Sequence, residues 1–358
     1  MRICYLADAD SIHTKRWCIH FASLGHEVHL ISFKKGGIEG VHFHFVDTGN
    51  ISVKGGNWKV MFKANKVKSL VREINPDVLH AMYATSYGVV GALSGFHPYI
   101  ITALGSDVLI SPQQSILYRL LVKFALKRAD LVTAMAEHMR EIIIAMGINP
   151  GKVNTLVFGI DTAIFNHTKR VPPANKFVIT STRNFESVYN LQLLIKAVQL
   201  VSKEIPNLEV NLIGAGSQRE ELEKMIADYK LVKSVKFFGK VSQTEIADTL
   251  NKTHLFTSTS LSDGNNISLN EAMACGTVSL ATDIPANRQW IKEGVNGFLV
   301  PLHDEKYLAD KILYVYRNYT QMQKSSIEFN DKIIEEKATW VKNMVIVENI
   351  YTQLSVKK

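Results

Sequence analysis

Short apolar runs of strand length alternate with longer segments of helical period along almost the whole chain. In the first half Ile3–Leu6, Val28–Ser32, His42–Phe45, Val78–His80, Tyr99–Thr102, Leu131–Thr133 and Val153–Leu156 read as strands. In the second half Phe177–Thr180, Glu209–Ile213, Val235–Phe238, His254–Thr257, Val278–Ala281 and Gly297–Val300 read the same way. Helical stretches fill most of the gaps, and such βαβα alternation predicts an α/β protein with doubly wound parallel sheets. The rhythm stops at 159–175, a polar stretch with Lys169, Arg170, Pro172 and Pro173. This predicts an N-terminal domain over 1–158, a linker over 159–175 and a C-terminal domain over 176–334. A last helix over 335–354 carries Trp340, Met344, Val347, Tyr351 and Leu354 on one face.

Composition agrees with two folded domains. The chain has 358 residues, 46% hydrophobic and 21% charged, which excludes disordered and low-complexity classes. Three scattered cysteines, Cys4, Cys18 and Cys275, argue against a disulfide framework or a zinc knot. The opening apolar run is too short for a secretory signal core, and no run approaches the ~18 apolar residues of a membrane span. A cytoplasmic protein is expected. The net charge of +8 is spread along the chain without a basic tail. It suits an anionic substrate or an anionic membrane surface, and no nucleic-acid recognition motif accompanies it.

Ligands of open α/β sheets bind beyond the carboxyl ends of the strands, so the strand-to-helix turns are the places to search. Gly214-Ala215-Gly216 follows one strand but lacks the third glycine of a dinucleotide fingerprint, which disfavours an NAD-linked enzyme. The segment Ser262-Asp263-Gly264-Asn265-Asn266-Ile267-Ser268-Leu269-Asn270-Glu271-Ala272-Met273-Ala274-Cys275-Gly276 is more informative. A small-residue helix starting there would present backbone N–H groups and a positive dipole end, which suit a phosphate. Asp263 and Glu271 would offer carboxylates to sugar hydroxyls. Simpler roles stand beside these: an Asp-Gly turn at Asp263, and a capping box formed by Ser268 and Glu271.

This segment resembles the acid-x7-acid signature of the retaining GT-B glycosyltransferases of family four, the group 1 glycosyl transferases. The usual form is Glu-Gly-x-x-x-Pro-x-x-Glu-Ala-Met-Ala-x-Gly. Pro76-Asp77-Val78-Leu79-His80, Ala129-Asp130-Leu131-Val132-Thr133, Gly159-Ile160-Asp161, Leu212-Ile213-Gly214-Ala215-Gly216, Phe238-Gly239 and Gly294-Val295-Asn296-Gly297 resemble family landmarks in the family's order. The resemblance covers nearly the whole chain. It implies the GT-B fold, two Rossmann-like domains facing across a cleft, with a UDP- or GDP-sugar donor on the second domain. It also implies a glycan acceptor on the first, lipid-linked or of the surface-polysaccharide kind, and no metal or other cofactor. Glu271 is then the ribose ligand and Asp263 the contact to the donor sugar. Gly214, Gly216, Val241, Gly264, Asn265, Asn266, Ile267 and Ser268 become donor-binding positions.

The chain departs from the family at one point that matters. Members place an Arg and a Lys six residues apart after the first strand of the second domain, both facing the diphosphate. Arg183 fills the first position and Tyr189 the second. A charge-assisted hydrogen bond of about 1.5–3 kcal/mol is missing or replaced, roughly ten- to over a hundredfold in rate. The alternative reading is therefore a catalytically impaired sugar-nucleotide-binding protein on the same fold.

In the first domain, Asp8-Ala9-Asp10 reads as an acidic loop capping a helix that begins near Thr14, rather than as a metal motif. His13 and Arg16 beside it, His80 at a strand end, and Ser106 with Asp107 after another strand are candidates for the acceptor side, a satisfied core histidine being the other reading of His80. Asp107 is the candidate contact to the reacting hydroxyl, with a turn aspartate bonding its own backbone as the equal alternative. His42 and His44 alternate with apolar residues and are expected on a solvent face. Two basic amphipathic stretches, Lys59–Arg72 and Ile116–Arg128, suggest peripheral attachment to an anionic membrane surface.

Overall fold

The computed structural model describes residues 1–51 and 57–356. The chain divides into two units, Met1–Val157 together with Met344 onward, and Phe158–Asn343. Each is built on one all-parallel sheet.

In chain order, unit 1 has β1 (Arg2–Leu6), α1 (Ile12–Ser23), β2 (Glu27–Ser32), β3 (His42–Phe45), α2 (Ala64–Ile74), β4 (Val78–Met82), α3 (Ser86–Ser94) and β5 (Tyr99–Ala103). There follow α4 (Ser106–Leu109), α5 (Ser111–Gln114), α6 (Ile116–Arg128), β6 (Leu131–Ala134), α7 (Glu137–Ala145) and β7 (Val153–Thr155). The strand order is β3-β2-β1-β4-β5-β6-β7. Growth in one direction from β1 and then in the other from β4 sets helices on both faces. That is why β4 and β5 are buried at every residue and read as unbroken apolar runs.

Unit 2 has β8 (Phe177–Ser181), α8 (Leu191–Val201), β9 (Leu208–Ile213), α9 (Arg219–Asp228), β10 (Val235–Gly239), α10 (Gln243–Asn251), β11 (Leu255–Ser258) and α11 (Ile267–Ala274). It continues with β12 (Val278–Thr282), α12 (Pro285–Arg288), β13 (Gly297–Val300), α13 (Glu305–Arg317), α14 (Tyr319–Lys337) and the start of α15 (Trp340–Ser355). The order β10-β9-β8-β11-β12-β13 reverses between β8 and β11. Leu194, Val198, Leu212, Leu255, Leu280 and Ile312 fill one side of this sheet, each buried and each worth about 1.5–3 kcal/mol.

Two boundaries differ from expectation. The stretch 159–175 has no helix or strand but is anchored on unit 2. The Arg170 guanidinium donates to the carbonyls of Leu250, Cys275 and Thr253 and to the Tyr319 hydroxyl at 2.7–3.2 Å. The last helix is interrupted. Residues 335–337 close α14, and α15 begins at Trp340. Ile160 causes the break: its N–H donates to Ala338 O (2.7 Å) and its carbonyl accepts from Trp340 N (2.9 Å). Gly159 makes this approach possible, because at φ +78 a Cβ there would lie 2.7 Å from Trp340 N.

From Met344 on, α15 contributes to unit 1. Met344, Val347 and Tyr351 are buried, and the Tyr351 hydroxyl bonds His80 Nδ1 at 2.6 Å, Trp17 Nε1 at 3.1 Å and Tyr5 at 3.3 Å. The three cysteines are buried free thiols.

Candidate active site

In unit 2 the loops after β8 and β11 meet at the point where the strand order reverses, the place where such sheets bind ligands. Arg183 stands at their junction, only 7% exposed. Its guanidinium donates to Asp263 Oδ2 at 2.5 Å and to Asn266 Oδ1 at 3.0 Å. The Tyr189 ring packs against it, with the guanidinium carbon 4.2 Å from the ring centroid. A buried cation thus has a carboxylate, an amide oxygen and a π-face around it, while its Nε is buried without a hydrogen-bond partner.

Asn266 organises the β11 side. It is the N-cap of α11, its Oδ1 accepting from Leu269 N at 3.1 Å. Its Nδ2 donates to Ser258 Oγ and Asn287 Oδ1 at 2.9 and 3.0 Å. Asn265 is likewise turned inward, accepting from Trp290 Nε1 at 2.9 Å and donating to Asn270. Both side chains are therefore committed to holding the loop. The capping box at Ser268 does not form. Ser268 lies inside the helix and donates to Thr182 O at 3.3 Å, which leaves the cap to Asn266. Glu271, 9% exposed, and Gly264 are buried in the same segment. The amide of Ile267 bonds Asn265 O, so one of the expected phosphate donors is already used.

Gly214 and Gly216 serve the loop after β8. A Cβ on Gly214, at φ +148, would lie 2.6 Å from Arg183 O, and one on Gly216 would overlap Phe185 O. They let the β9 turn close against 183–186, where Glu186 takes Ser217 Oγ at 2.6 Å and Ser217 N at 3.1 Å. Their role is to seat the Arg183 loop, and neither Glu186 nor Ser217 was singled out by sequence. Val241 is half-buried just past β10.

Unit 1 corrects two expectations. His80 was expected at the acceptor side but is 1% exposed, bonded to Tyr351 and to Thr102 Oγ1 at 2.7 Å. Burial pushes its pKa down from 6.5 to about 3, so it is a neutral core group. Asp107 is fully buried, and its carboxylate accepts from the amides of Ala84 (2.7 Å), Gly105 (2.8 Å) and Leu104 (3.1 Å). Burial raises its pKa while those amides oppose the rise. It fastens the loops after β4 and β5 from a fully buried position. What it positions is Tyr83, held at φ +90 with its hydroxyl 2.6 Å from exposed Ser106. An aromatic residue at positive φ stores strain, a frequent mark of a functional loop, and nothing in the sequence signals it. His13 and Arg16 sit half-buried on the first turns of α1, which starts at Ile12, and burial followed by the Arg16 charge lowers the His13 pKa to about 4. Asp8 accepts from the amide of Asp10 and pairs with Lys34 at 3.0 Å, a loop-capping role.

Comparison with known proteins matches this architecture. Residues 2–136 match the family described as Glycosyl transferase 4-like, and residues 164–336 match Glycosyl transferases group 1. The chain belongs to the group 1 glycosyltransferases. It is 23% identical over 345 residues to N-acetyl-alpha-D-glucosaminyl L-malate synthase of Bacillus anthracis, covering 89% of each. Among solved structures it resembles sucrose-phosphate synthase from Thermosynechococcus elongatus, with TM-score 0.86 at 17% identity over 100% of both chains. It also resembles Anabaena HepE in complex with UDP, with TM-score 0.79 at 20% identity over 98% of this chain and 100% of that one. The fold is GT-B, and the chemistry is glycosyl transfer.

Proposed function

We propose that this glycosyltransferase is retaining and moves a sugar from a UDP- or GDP-sugar to a glycan acceptor, lipid-linked or of the surface-polysaccharide kind. The observation that carries the reading is the convergence of Arg183, Asp263 and the α11 amino end at the strand-order reversal of unit 2. There Arg183 stabilises the departing diphosphate, Asp263 holds a donor-sugar hydroxyl and Glu271 holds the ribose. The departing phosphate oxygen helps to take the acceptor proton, so the route uses no dedicated base and no metal. A UDP donor is supported by the HepE complexes with UDP and UDP-glucose. Retention is supported by the α-glucosaminyl product in the B. anthracis relative's name.

A cytoplasmic site of action at a membrane face is part of the same reading. No helix among the described residues is long and apolar enough to cross a membrane. The α2 stripe expected for bilayer contact is core instead, with Val67, Val71 and Ile74 buried. On α6, however, Ile116 (70% exposed) and Leu120 (57%) lie bare among Arg119 and Lys123. Anionic liposomes are expected to sediment the protein, and neutral ones to leave it in solution.

The alternative, a sugar-nucleotide binder with little turnover, draws on Tyr189 standing where a lysine is usual. Thermal shift against UDP, GDP and ADP, followed by transfer assays with Glu271→Ala as the control, separates the readings. One nucleotide should raise stability by RT ln(1 + [L]/Kd). No shift with any of the three rejects the donor site. A shift without turnover selects the binder.

A further inference from the structure

The opposite, amino end of the unit 1 sheet gathers side chains that sugar transfer does not use. β2 and β3 are parallel, with His29 in register with His42 and Ile31 with His44. Side chains alternate along a strand and registered partners share a face, so Glu27, His29, His42 and His44 all stand on one face. The rings form a stack: His29 lies 4.7 Å from His42 and 5.3 Å from His44, centroid to centroid. His29 Nε2 is 3.0 Å from Glu27 Oε1, and His29 Nδ1 is 3.0 Å from His44 Nε2. One ligand atom each from Glu27, His29 and His42 lies within 4.8 Å of the others.

We infer that Glu27, His29 and His42 form a site for one divalent cation of the zinc class, with solvent completing the coordination. Two imidazoles and a carboxylate suit zinc or cobalt and disfavour magnesium and calcium. Metal–ligand bonds of ~2.0–2.2 Å place tetrahedral ligands about 3.4 Å apart. The Glu27–His29 pair, at 3.0 Å, has to open by about 0.4 Å to reach that spacing, and His42 is exposed with its ligand atom within 4.8 Å of both. His44 supplies the second shell: with the metal on His29 Nε2, His29 Nδ1–H donates to His44, which fixes tautomer and ring orientation. Arg2 is the competing group, since its Nε lies 2.9 Å from the same Glu27 oxygen. The bound ion releases that contact or takes the second carboxylate oxygen. The site clamps the four-residue edge strand β3 to β2 and lies away from the carboxyl ends where substrates bind. Its role is structural.

The test is zinc titration of the tag-free full chain by calorimetry, with cobalt absorption reporting geometry and thermal shift reporting stability. We expect one ion per chain, tetrahedral cobalt bands and a rise in the melting temperature with zinc that magnesium does not produce. His42→Gln, at an exposed position that leaves the fold intact, should abolish the high-affinity site. His44→Gln should weaken it roughly ten- to a hundredfold, and Arg2→Gln should tighten it. Equal zinc affinity and stoichiometry in the wild type and His42→Gln, or the absence of tetrahedral cobalt bands, would overturn the assignment.

Discussion

The guanidinium carbon of Arg183 sits 4.2 Å from the centre of the Tyr189 ring, so the residue in place of a second cation supports the first. The ring does this through its π-face, and the hydroxyl is not needed. Tyr189→Phe should keep transfer within about threefold. Tyr189→Leu, which removes a contact of ~0.5–2 kcal/mol, should lower kcat/KM roughly two- to thirtyfold. Arg183→Ala should cost about 10²–10³ in kcat, as for loss of a principal charge stabiliser. Steady-state kinetics check all three. Equal, negligible effects would remove Arg183 from the mechanism.

Asp263 neutralises the cation that is meant for the diphosphate, through a 2.5 Å bond. Asp263→Asn should therefore bind UDP or GDP several-fold more tightly while transferring the sugar more slowly. Calorimetric nucleotide affinity measured beside kcat reads the two effects. A parallel loss of both would mean that the aspartate acts only by holding the loop.

Gly216→Ala pushes a methyl group into Phe185 O and to 2.7 Å from Glu186 Oε1. The backbone two residues beyond Arg183 has to move, costing about 1–3 kcal/mol. Stability and activity should fall together. Gly25→Ala is the control, because at φ +82 it strains a turn but meets no atom within 4 Å. It should lower the melting temperature and leave kcat unchanged.

His80 gives the protein a pH signature. Its pKa is 6.5 ordinarily and about 3 in the folded chain. Between those values the unfolded chain binds a proton that the folded chain refuses, so stability falls as pH drops from 6.5 toward 3. The slope contribution is at most ~1.4 kcal/mol per pH unit. His80→Gln should flatten the decline of unfolding free energy between pH 6.5 and 4. His13, low for the same reason, keeps part of the slope, so the difference between variant and wild type is the readout.

Alternation of strand and helix was legible because a period of two or 3.6 is a local property. β3 falls on the expected residues 42–45 and most other strands within a residue or two. The break at Ala338–Thr339 was not legible, since Ile160 imposes it from far along the chain. At the site, sequence located Arg183, Asp263 and Tyr189 but not their mutual contacts. It placed His80 and Asp107 at strand ends and left open whether each faces a ligand or the interior, which packing decides in favour of the interior. The capping box that Ser268 and Glu271 offered as a simpler role does not form, and a four-residue pattern cannot tell that Asn266 reaches Leu269 first. Direction of a side chain is decided by packing, and packing is non-local.

Tyr351 joins His80, Trp17 and Tyr5 at the centre of unit 1. Synthesis proceeds from the amino end, and domains usually fold as they emerge. Here the first unit waits for residue 351, while every residue of the second has been made by then. Unit 2 should be the first to acquire a protected core, and a chain stopped before α15 should hold unit 1 unfinished. The order of folding is thus expected to reverse the order of translation.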